Sequence, residues 1–343
     1  MDFIELSELS IRIIFGTLGI AAFGILFGLL YKGIDRKISA HMQGRIGPPI
    51  RQPFRDVVKL FEKENIVPDH AIPWLFNLIP VIGLIASISI LLYLPLGGFS
   101  PLFSSGGDLI VVLYLLIIPS LALVIGGFSS GSPYAIVGAQ REMATMIAYE
   151  FPLTILIITI AWNLLQKGIS SVFSFSTIAS MPVWNQVTGP LGFIGFGILL
   201  FVLLLVTPAE LSKIPFDSPE AETELAGGLL VEYSGRNLAM YYLIDGVKTI
   251  VMASLVVALF FPYNLSSFFT LGSYEAIVID VVFYLLKVLL VVLVSVTLIR
   301  VAIARLKIDQ IVYTYWIPLT LASLVGLILV MWDGVIMNFF TPA

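Results

Sequence analysis

Eight long apolar stretches dominate this sequence and limit what it can fold into. A helix that crosses the hydrocarbon core of a bilayer needs roughly 20 mostly apolar residues, and it must satisfy its own backbone polar groups because lipid offers them no partner. Only 12% of the 343 residues are charged, against about a quarter in soluble domains. We therefore predict an all-α, polytopic membrane protein that forms a single integral-membrane domain over residues 1–343. The predicted spans are 11–31, 73–94, 109–127, 143–165, 190–209, 237–261, 276–301 and 312–335.

Lysine and arginine are unevenly distributed among the connections between these spans. Segment 32–72 contains eight of the 18, and the next loop, 95–108, contains none. Because these residues favour the cytoplasmic side of short loops, we predict a multi-pass protein of the plasma membrane with both termini outside. The long cytoplasmic loops would then cover about 32–72, 128–142 and 210–236.

The chain has no cysteine and only two histidines. It cannot ligate an iron-sulfur cluster through thiolates. His41 and His70 fall in one connecting segment rather than on facing helices, which argues against a haem. We predict no cofactor, no metal site and no catalytic residue in this chain, so any electron transfer would take place in another subunit.

Residues 35–64 form the longest charged stretch. The Gly-Pro-Pro sequence at 47–49 must end any helix, and the apolar residues within 54–61 recur at the spacing of a short amphipathic helix on the membrane surface. A positively charged loop followed by an interfacial helix is the simpler interpretation. The length of the segment favours a functional loop, because long connections in compact proteins are usually functional or disordered.

Two glutamates mark the start of the fourth predicted span. Glu142 would lie at its cytoplasmic end and Glu150 eight residues further on, about 12 Å deeper in the membrane at 1.5 Å per residue. A carboxylate at that depth is costly and by default indicates an ion or proton path. A paired, purely structural Glu150 is the alternative.

A third stretch, 210–235, contains six acids and one base among apolar residues and glycines. A solvated loop would explain an isolated acidic run, but crowded carboxylates repel one another, which raises some pKa values towards neutrality. Such groups can hold and pass protons at working pH. The six acids are Glu210, Asp217, Glu220, Glu222, Glu224 and Glu232.

Charged residues also occur inside the sixth and seventh predicted spans. Asp245 and Lys248 are three residues apart, so their side chains can meet on a helix; they form either a simple ion pair or part of a relay. Asp280 and Lys287 are weaker candidates of the same kind.

Gly24 and Gly28 in the first span have the spacing of small residues that lets helices approach closely in lipid. The pattern is common, so we predict packing within the chain rather than a specific contact with another subunit. We find no internal repeat, which argues against a transporter built from two symmetry-related halves.

Short motifs in these stretches carry a resemblance to a known family. They are Gln43-x-Arg45-x-Gly47-Pro48, Gln52-Pro53-x-x-Asp56-x-x-Lys59-Leu60, Met146-Ile147-Ala148-Tyr149-Glu150, and Pro215-Phe216-Asp217 followed by Glu220, Glu222, Glu224, Leu225, Glu232 and Tyr233. Together they closely resemble the complex I membrane subunit usually called subunit 1, and its counterparts in membrane-bound hydrogenases. The resemblance covers nearly the whole chain.

The resemblance implies a non-redox membrane subunit of an ion-pumping oxidoreductase. Its cytoplasmic loops would dock the iron-sulfur peripheral arm, and its acids would lead from that junction to antiporter-like subunits. The implied docking and cavity residues are Asp35, Arg36, Gln43, Arg45, Gly47, Pro48, Gln52, Asp56 and Lys59. The implied proton path comprises Glu142, Glu150, Glu210, Asp217, Glu220, Glu222, Glu224, Glu232, Asp245 and Lys248.

The resemblance also implies the partners. They are iron-sulfur and large hydrogenase-like subunits of the arm, antiporter-like and small membrane subunits, and the lipid bilayer, with no nucleic acid. Iron-sulfur clusters, and a nickel-iron site in a complex of the hydrogenase type, would belong to those partner subunits.

One departure resembles the hydrogenase-type branch more than quinone-reducing members: only three residues separate Gly47-Pro48 from Gln52-Pro53, a tighter loop than quinone-reducing enzymes have. Asp245 stands where those enzymes tend to have glutamate, a departure that bears on the relay geometry. We therefore expect a ferredoxin-fed complex that evolves hydrogen or reduces a sulfur compound. The alternatives are a quinone-reducing complex, a self-contained secondary ion transporter and a purely structural anchor; the sequence leaves open whether protons or sodium ions are pumped.

Overall fold

The computed structural model describes residues 3–269 and 272–340, and those residues form helices joined by loops with no β-strand. In chain order the helices are α1 (Phe3–Met42), α2 (Gln52–Glu62), α3 (Pro73–Tyr93), α4 (Asp108–Ser129), α5 (Pro133–Gln166), α6 (Phe175–Ser180), α7 (Val183–Gln186), α8 (Pro190–Glu210), α9 (Glu222–Leu225), α10 (Gly235–Phe260), α11 (Ser273–Val292), α12 (Ile299–Ala302), α13 (Ile308–Thr314) and α14 (Thr320–Phe340). The ends of the chain, which the charge pattern predicts to lie outside the membrane, fall outside the described residues.

Eight helices of the described part are long and apolar enough to cross a membrane, as predicted. Two of these spans are composite. A π-helical segment, Leu293–Leu298, joins α11 to α12, and a second one, Tyr315–Leu319, joins α13 to α14. The prediction of an all-α, polytopic membrane fold is confirmed.

Two helices extend well beyond the apolar stretches that predicted them. Helix α1 continues to Met42, because no proline interrupts the charged segment directly after the span. Helix α5 begins at Pro133, whose fixed backbone angle suits a first helical position. The expected loops at 32–72 and 128–142 are therefore shorter, and part of each is helix.

Helix α10 is the central element of the fold. Of its most apolar window, 94% is buried inside the protein, compared with 17% for α1. It packs against α1, α2, α3 and α11. A polar side chain within that buried window must therefore find its partner inside the protein.

The glycines of α1 pack against neighbouring helices of the same chain. A Cβ atom at Gly28 would clash with the carbonyl oxygen of Gly246 on α10, and one at Gly24 would lie 2.5 Å from the side chain of Leu91. The absence of a side chain at Gly28 thus allows the backbones of α1 and α10 to touch. The prediction of packing within the chain is confirmed.

The three charged stretches meet at one end of the molecule, which we call the charged end. It consists of α2 with loops 43–51 and 63–72, the acidic loop 211–234, and loop 303–307. The backbone N–H of Leu306 donates to the Pro215 carbonyl oxygen at 3.0 Å, and that of Ile66 donates to the Ser234 hydroxyl, also at 3.0 Å. The position of this end on the cytoplasmic side stays a prediction.

Replacing Gly28 with alanine should force α1 away from α10, because the added methyl group meets backbone that cannot rotate aside. Overpacking of this kind typically costs about 1–3 kcal/mol. We expect the detergent-purified protein to melt several degrees lower than wild type in a thermal unfolding assay. Gly19→Ala in the same helix is the control, since no atom lies within 4 Å of its added carbon; equal melting of the two variants would contradict the close approach.

Candidate functional site

A buried set of acids and lysines lies where α1, α5, α8 and α10 converge near the charged end. It surrounds two cavities. The first, of about 170 Å³, is lined by charged groups that include Lys32, Lys213, Glu220 and Asp245. The second, of about 420 Å³, opens between α4 and α5 and is lined mainly by apolar side chains.

Asp245 on α10 is held between two lysines. The Lys32 ammonium group lies 2.5 Å from its Oδ2 atom, and the Lys213 ammonium group lies 2.6 Å from Oδ1. Lys32 comes from the extension of α1 and also lies 4.6 Å from the ring centre of Tyr242. Two cations stabilise this carboxylate in its charged form.

Asp245 and Lys248 do not form the simple ion pair that their spacing allows; a relay role for them stays a prediction. Lys248 instead reaches Glu210 on α8, with its ammonium nitrogen 2.7 Å from Oε1, and donates to the Ser120 hydroxyl at 2.7 Å. The two residues do lie on adjoining faces of α10. Asp245 and Lys248 nevertheless find their partners on different helices and loops. The spacing along α10 alone could not indicate those partners.

Glu210 belongs to both cavities. It lines the first cavity with Lys248 and the second with Tyr149 and Glu150. The side chains of Glu210 and Lys248 are only 2% and 5% exposed. This ion pair therefore forms the partition between a charged cavity near the loops and an apolar cavity deeper between the helices.

Two glutamates on α5 lie near this partition without an ion-pair partner among the described residues. Glu142 is 1% exposed, and the Ser212 hydroxyl donates to its Oε2 atom at 3.2 Å. Glu150 lines the second cavity, and its buried Oε1 atom has no hydrogen-bond partner in the described part of the chain. At both carboxylates a bound proton, instead of a cationic side chain, could neutralise the charge.

Two arginines hold the acidic loop against the helices. Arg305 donates to both oxygens of Asp217, at 2.8 and 2.5 Å. Arg141 on α5 donates to Glu224 at 2.6 Å and to the Ser218 carbonyl oxygen at 3.2 Å. Asp217 and Glu224 thus hold the loop in place, while Glu222 is exposed.

The loop acids differ in how their surroundings affect proton binding. Burial raises the pKa of Glu220, an effect that Lys213 partly offsets. The hydrogen bond and charge of Arg141 lower the pKa of Glu224. Of these two carboxyl groups, Glu220 is therefore the one that binds a proton more readily. Glu232 is half-buried and forms no ion pair with any described residue.

The docking candidates separate into buried and exposed groups. Asp35 is 6% exposed; it accepts from the Thr297 hydroxyl at 2.6 Å and from Arg300 at 3.1 Å. Its carboxylate joins α1 to the π-helical segment and the short helix after α11, and its docking role stays a prediction. Arg36 lies 3.5 Å from Asp56, which also accepts a hydrogen bond from Gln52 at 2.7 Å.

The remaining docking candidates lie in or beside the turn after α1. Gln43, Arg45 and Lys59 are exposed, and Gly47 and Pro48 are half-buried. A Cβ atom at Gly47 would lie 3.0 Å from the Lys37 Cα atom, so the turn folds back onto α1.

The acid and base in α11 lie away from this site and do not pair with each other. Asp280 accepts from the backbone N–H and hydroxyl of Ser266 at 2.8 and 2.6 Å. Lys287 donates to the carbonyl oxygens of Phe261 and Tyr263, at the end of α10. Both anchor loop 261–269 at the opposite end of the molecule.

Sequence reasoning misses several residues that complete the site. In the sequence, Lys32 and Lys213 serve only as positive charges that indicate the membrane topology. In the structure both bind Asp245. No local pattern identifies them, because they come from segments far from α10 along the chain. The other missed residues are Ser120, Arg141, Tyr149, Ser212 and Arg305.

Within the described residues, no three His, Asp or Glu side chains come together as a metal site would require.

Neutralising Glu220 should stabilise the protein at alkaline pH. Because its pKa is raised on folding, ionisation favours the unfolded state, and this cost appears as pH rises from the ordinary glutamate range through the raised value. We expect Glu220→Gln to melt higher than wild type at pH 8, with the difference shrinking towards pH 4. Glu222→Gln, at an exposed position, is the control; an identical pH profile for wild type and Glu220→Gln would contradict the burial argument.

Comparison with known proteins finds similar sequences over most of this chain. The family model described as NADH dehydrogenase matches residues 15–331. Hydrogenase-4 component C of Escherichia coli is 35% identical over 86% of this chain and 89% of its own. A subunit of the F(420)H(2) dehydrogenase of Methanosarcina mazei is 30% identical over 90% and 91% of the two chains.

A solved structure has the same fold. It comes from the membrane-bound sulfane sulfur reductase, an archaeal respiratory membrane complex, and one of its chains matches with a TM-score of 0.79 and 28% identity over 93% of this chain and 99% of that one. With the family match over residues 15–331, the conclusion is direct: this chain belongs to the NADH dehydrogenase family of membrane subunits, whose complex I member is known as subunit 1.

Proposed function

We propose that this chain is the membrane subunit that couples electron transfer to ion translocation in a complex I-related redox complex. It docks the iron-sulfur peripheral arm at its charged end and carries a proton path of carboxylates through the membrane. The chemistry of electron transfer belongs to the partner subunits. The observation that carries the proposal is the buried Glu210–Lys248 pair: both residues line the first cavity, and Glu210 also lines the second.

The ion pairs divide the acids into two groups. Asp217, Glu224 and Asp245 each contact a cation and therefore hold their charge. Glu142 and Glu150 have none among the described residues. Glu142 is buried, and Glu150 is half-buried with one oxygen shielded from solvent. A shielded carboxylate without a cation is costly when ionised, so these two are the positions where a proton resides and moves.

A charge change at the charged end would reach these positions through the lysines. Glu220 faces the same cavity as Lys213 and Asp245, so a change in its protonation alters the field on the Asp245 cluster. In a low-dielectric site such a change acts strongly on the neighbouring pair. The Glu210–Lys248 partition would respond by changing the proton occupancy of Glu142 and Glu150.

The similar proteins favour the hydrogenase or sulfur-reductase type. The charged first cavity, of about 170 Å³, is smaller than the roughly 300–1,000 Å³ of typical small-molecule sites, whereas the apolar second cavity, of about 420 Å³, lies within that range. Hydrogenase-4 component C and the sulfane sulfur reductase chain are among the similar proteins. The partners would then include a ferredoxin-fed arm with iron-sulfur clusters, a large hydrogenase-like subunit and antiporter-like membrane subunits.

A quinone-reducing complex is the second candidate, because a subunit of the NADH-quinone oxidoreductase of Syntrophotalea carbinolica is 30% identical over 88% of this chain. Affinity purification of the intact assembly separates the two. Mass spectrometry of the co-purifying chains, an iron assay and extraction of bound quinone should find iron-bearing subunits and no stoichiometric quinone. One quinone per complex would favour the second candidate, and an iron-free single chain would contradict both.

Glu150→Gln should uncouple the complex without disassembling it. Glutamine keeps the shape of the side chain but cannot release a proton, so the path through the second cavity is interrupted. We expect electron transfer within about twofold of wild type and proton uptake per electron reduced at least about tenfold in reconstituted vesicles, the loss typical of removing a positioned proton-transfer group. Asp280→Asn, a membrane acid at the opposite end, is the control. Unchanged translocation in Glu150→Gln would remove this residue from the path.

Lys248→Met should destabilise the protein because it leaves Glu210 buried without its cation, a change that typically costs about 3–5 kcal/mol. We expect a lower melting temperature and loss of translocation. The double variant Lys248→Met with Glu210→Gln removes both charges and should recover the melting temperature but not translocation. Recovery of both properties would show that the pair only stabilises the fold.

A further inference from the structure

Two neighbouring cavities at the end of the molecule opposite the charged end differ in their chemistry. The first, which we call the lysine pocket, has a volume of about 260 Å³ and lies between loop 94–107, α6, the end of α10 and α11. Lys287 is the one charged residue that lines it in the described part of the chain. The second, which we call the apolar groove, has a volume of about 390 Å³, lies between α1 and α11, and is lined by no charged residue that the structure describes.

The two cavities adjoin each other along a shared wall. Phe99, Ser100 and Tyr284 line both of them. The loop that carries Phe99 packs tightly on α11, because a Cβ atom at Gly97 would lie 2.8 Å from the Val281 Cα atom. One ligand that is charged at one end and apolar along its length could therefore occupy both cavities.

The Lys287 ammonium group is only partly matched by the protein. It donates to the carbonyl oxygens of Phe261 and Tyr263 at 2.9 and 2.7 Å, whereas an ammonium group has three N–H donors. No carboxylate of the described residues lies within ion-pair distance of it. Asp280, on the same helix, is bound to Ser266 and does not line the pocket. The lysine pocket thus offers a positive charge and one remaining donor to an anion.

The two cavities lie at the depths of a lipid headgroup and a lipid chain. Residues 15–23 of α1, within the first apolar span, line the groove together with Leu94 and Leu96, which follow the last residue of α3. The lysine pocket begins at Pro95, just past the end of that span. The pocket is therefore at the boundary of the hydrocarbon core, where headgroups lie, and the groove runs from it along α1 into the core.

We propose that the lysine pocket and the apolar groove together bind one anionic phospholipid. Its phosphate pairs with Lys287 and accepts a hydrogen bond from the Ser100 hydroxyl, while one of its chains fills the groove. Bilayer chains are as apolar as the groove, so this chain gains mainly van der Waals contacts, and the ammonium group supplies the preference for a negative headgroup. A free phosphate would leave the groove empty. The site is independent of the proposed coupling role.

Photo-crosslinking of the purified assembly in vesicles tests the site. The probe is a phosphatidylglycerol with a diazirine in one chain, and mass spectrometry identifies the labelled peptides of this chain. We expect labels within residues 15–23 or 94–102. Unlabelled phosphatidylglycerol should compete about fivefold more effectively than phosphatidylcholine, which is the preference that one basic side chain gives at a membrane surface.

Two variants with matched controls separate the charge from the groove. Lys287→Met should make the two unlabelled lipids compete equally; in the control Lys167→Met, the replaced lysine also donates to a backbone carbonyl oxygen, that of Gln186, but lines neither cavity. Gly19→Leu should reduce labelling at least about fivefold, because Gly19 lines the groove and an added Cβ atom there meets no atom within 4 Å. Gly197→Leu on α8, equally open and outside the groove, is its control.

Three results would each overturn the proposal. Absence of labelling in the wild-type assembly would mean that another subunit fills the groove. Equal competition by the two lipids in wild type would remove Lys287 as the anion-binding group. Competition by glycerol phosphate as strong as that by phosphatidylglycerol would assign the pocket to a free phosphate group. Gly19→Leu leaves the lysine in place, so its result decides the matter even if Lys287→Met fails to fold.

Discussion

The interior of a membrane protein tolerates a charge only if that charge is paired or neutralised, and the rest of this structure depends on that constraint. Glu210 and Lys248 satisfy it for each other across the boundary between α8 and α10. Each would be costly to leave alone at that depth. Their contact therefore joins two helices and lies between the two cavities.

The same constraint explains the architecture around α10. This helix is almost wholly buried, so its polar residues must be matched by other parts of the chain. Helix α1 extends past its apolar stretch and supplies Lys32, and the loop after α8 supplies Lys213. The close contact between Gly28 and Gly246 brings α1 near enough for this. Backbone packing and charge matching are thus two parts of one arrangement.

Buried acids in this protein fall into structural and functional kinds, and their donors distinguish them. Asp333 accepts hydrogen bonds from Thr188, Gly189 and Gly192 at the start of α8, and so joins the last span to that helix. Asp35 is matched by Thr297 and Arg300. Such acids have little reason to exchange a proton. Glu142 and Glu150 lack that saturation, which is the physical basis for proposing them as members of a proton path.

The sequence by itself determined the membrane class, the eight spans and the family. Hydropathy is a local property of the sequence. Because a helix satisfies its own backbone hydrogen bonds in a bilayer, long apolar stretches predict membrane-spanning helices directly. The acidic loop and the motifs around Glu150 and Asp217 likewise indicated the candidate region. The boundaries were less accurate at α1 and α5, because charged residues continue a helix as well as apolar ones do.

Only the tertiary structure decided which charges meet. Asp245 and Lys248 are neighbours along α10, but they bind Lys213 and Glu210 instead, and Asp35 binds Arg300. The physical reason is that pairing depends on distances between helices, which are set by packing of the whole bundle. Spacing along one helix determines which residues share a face; it does not determine what the opposing helix offers.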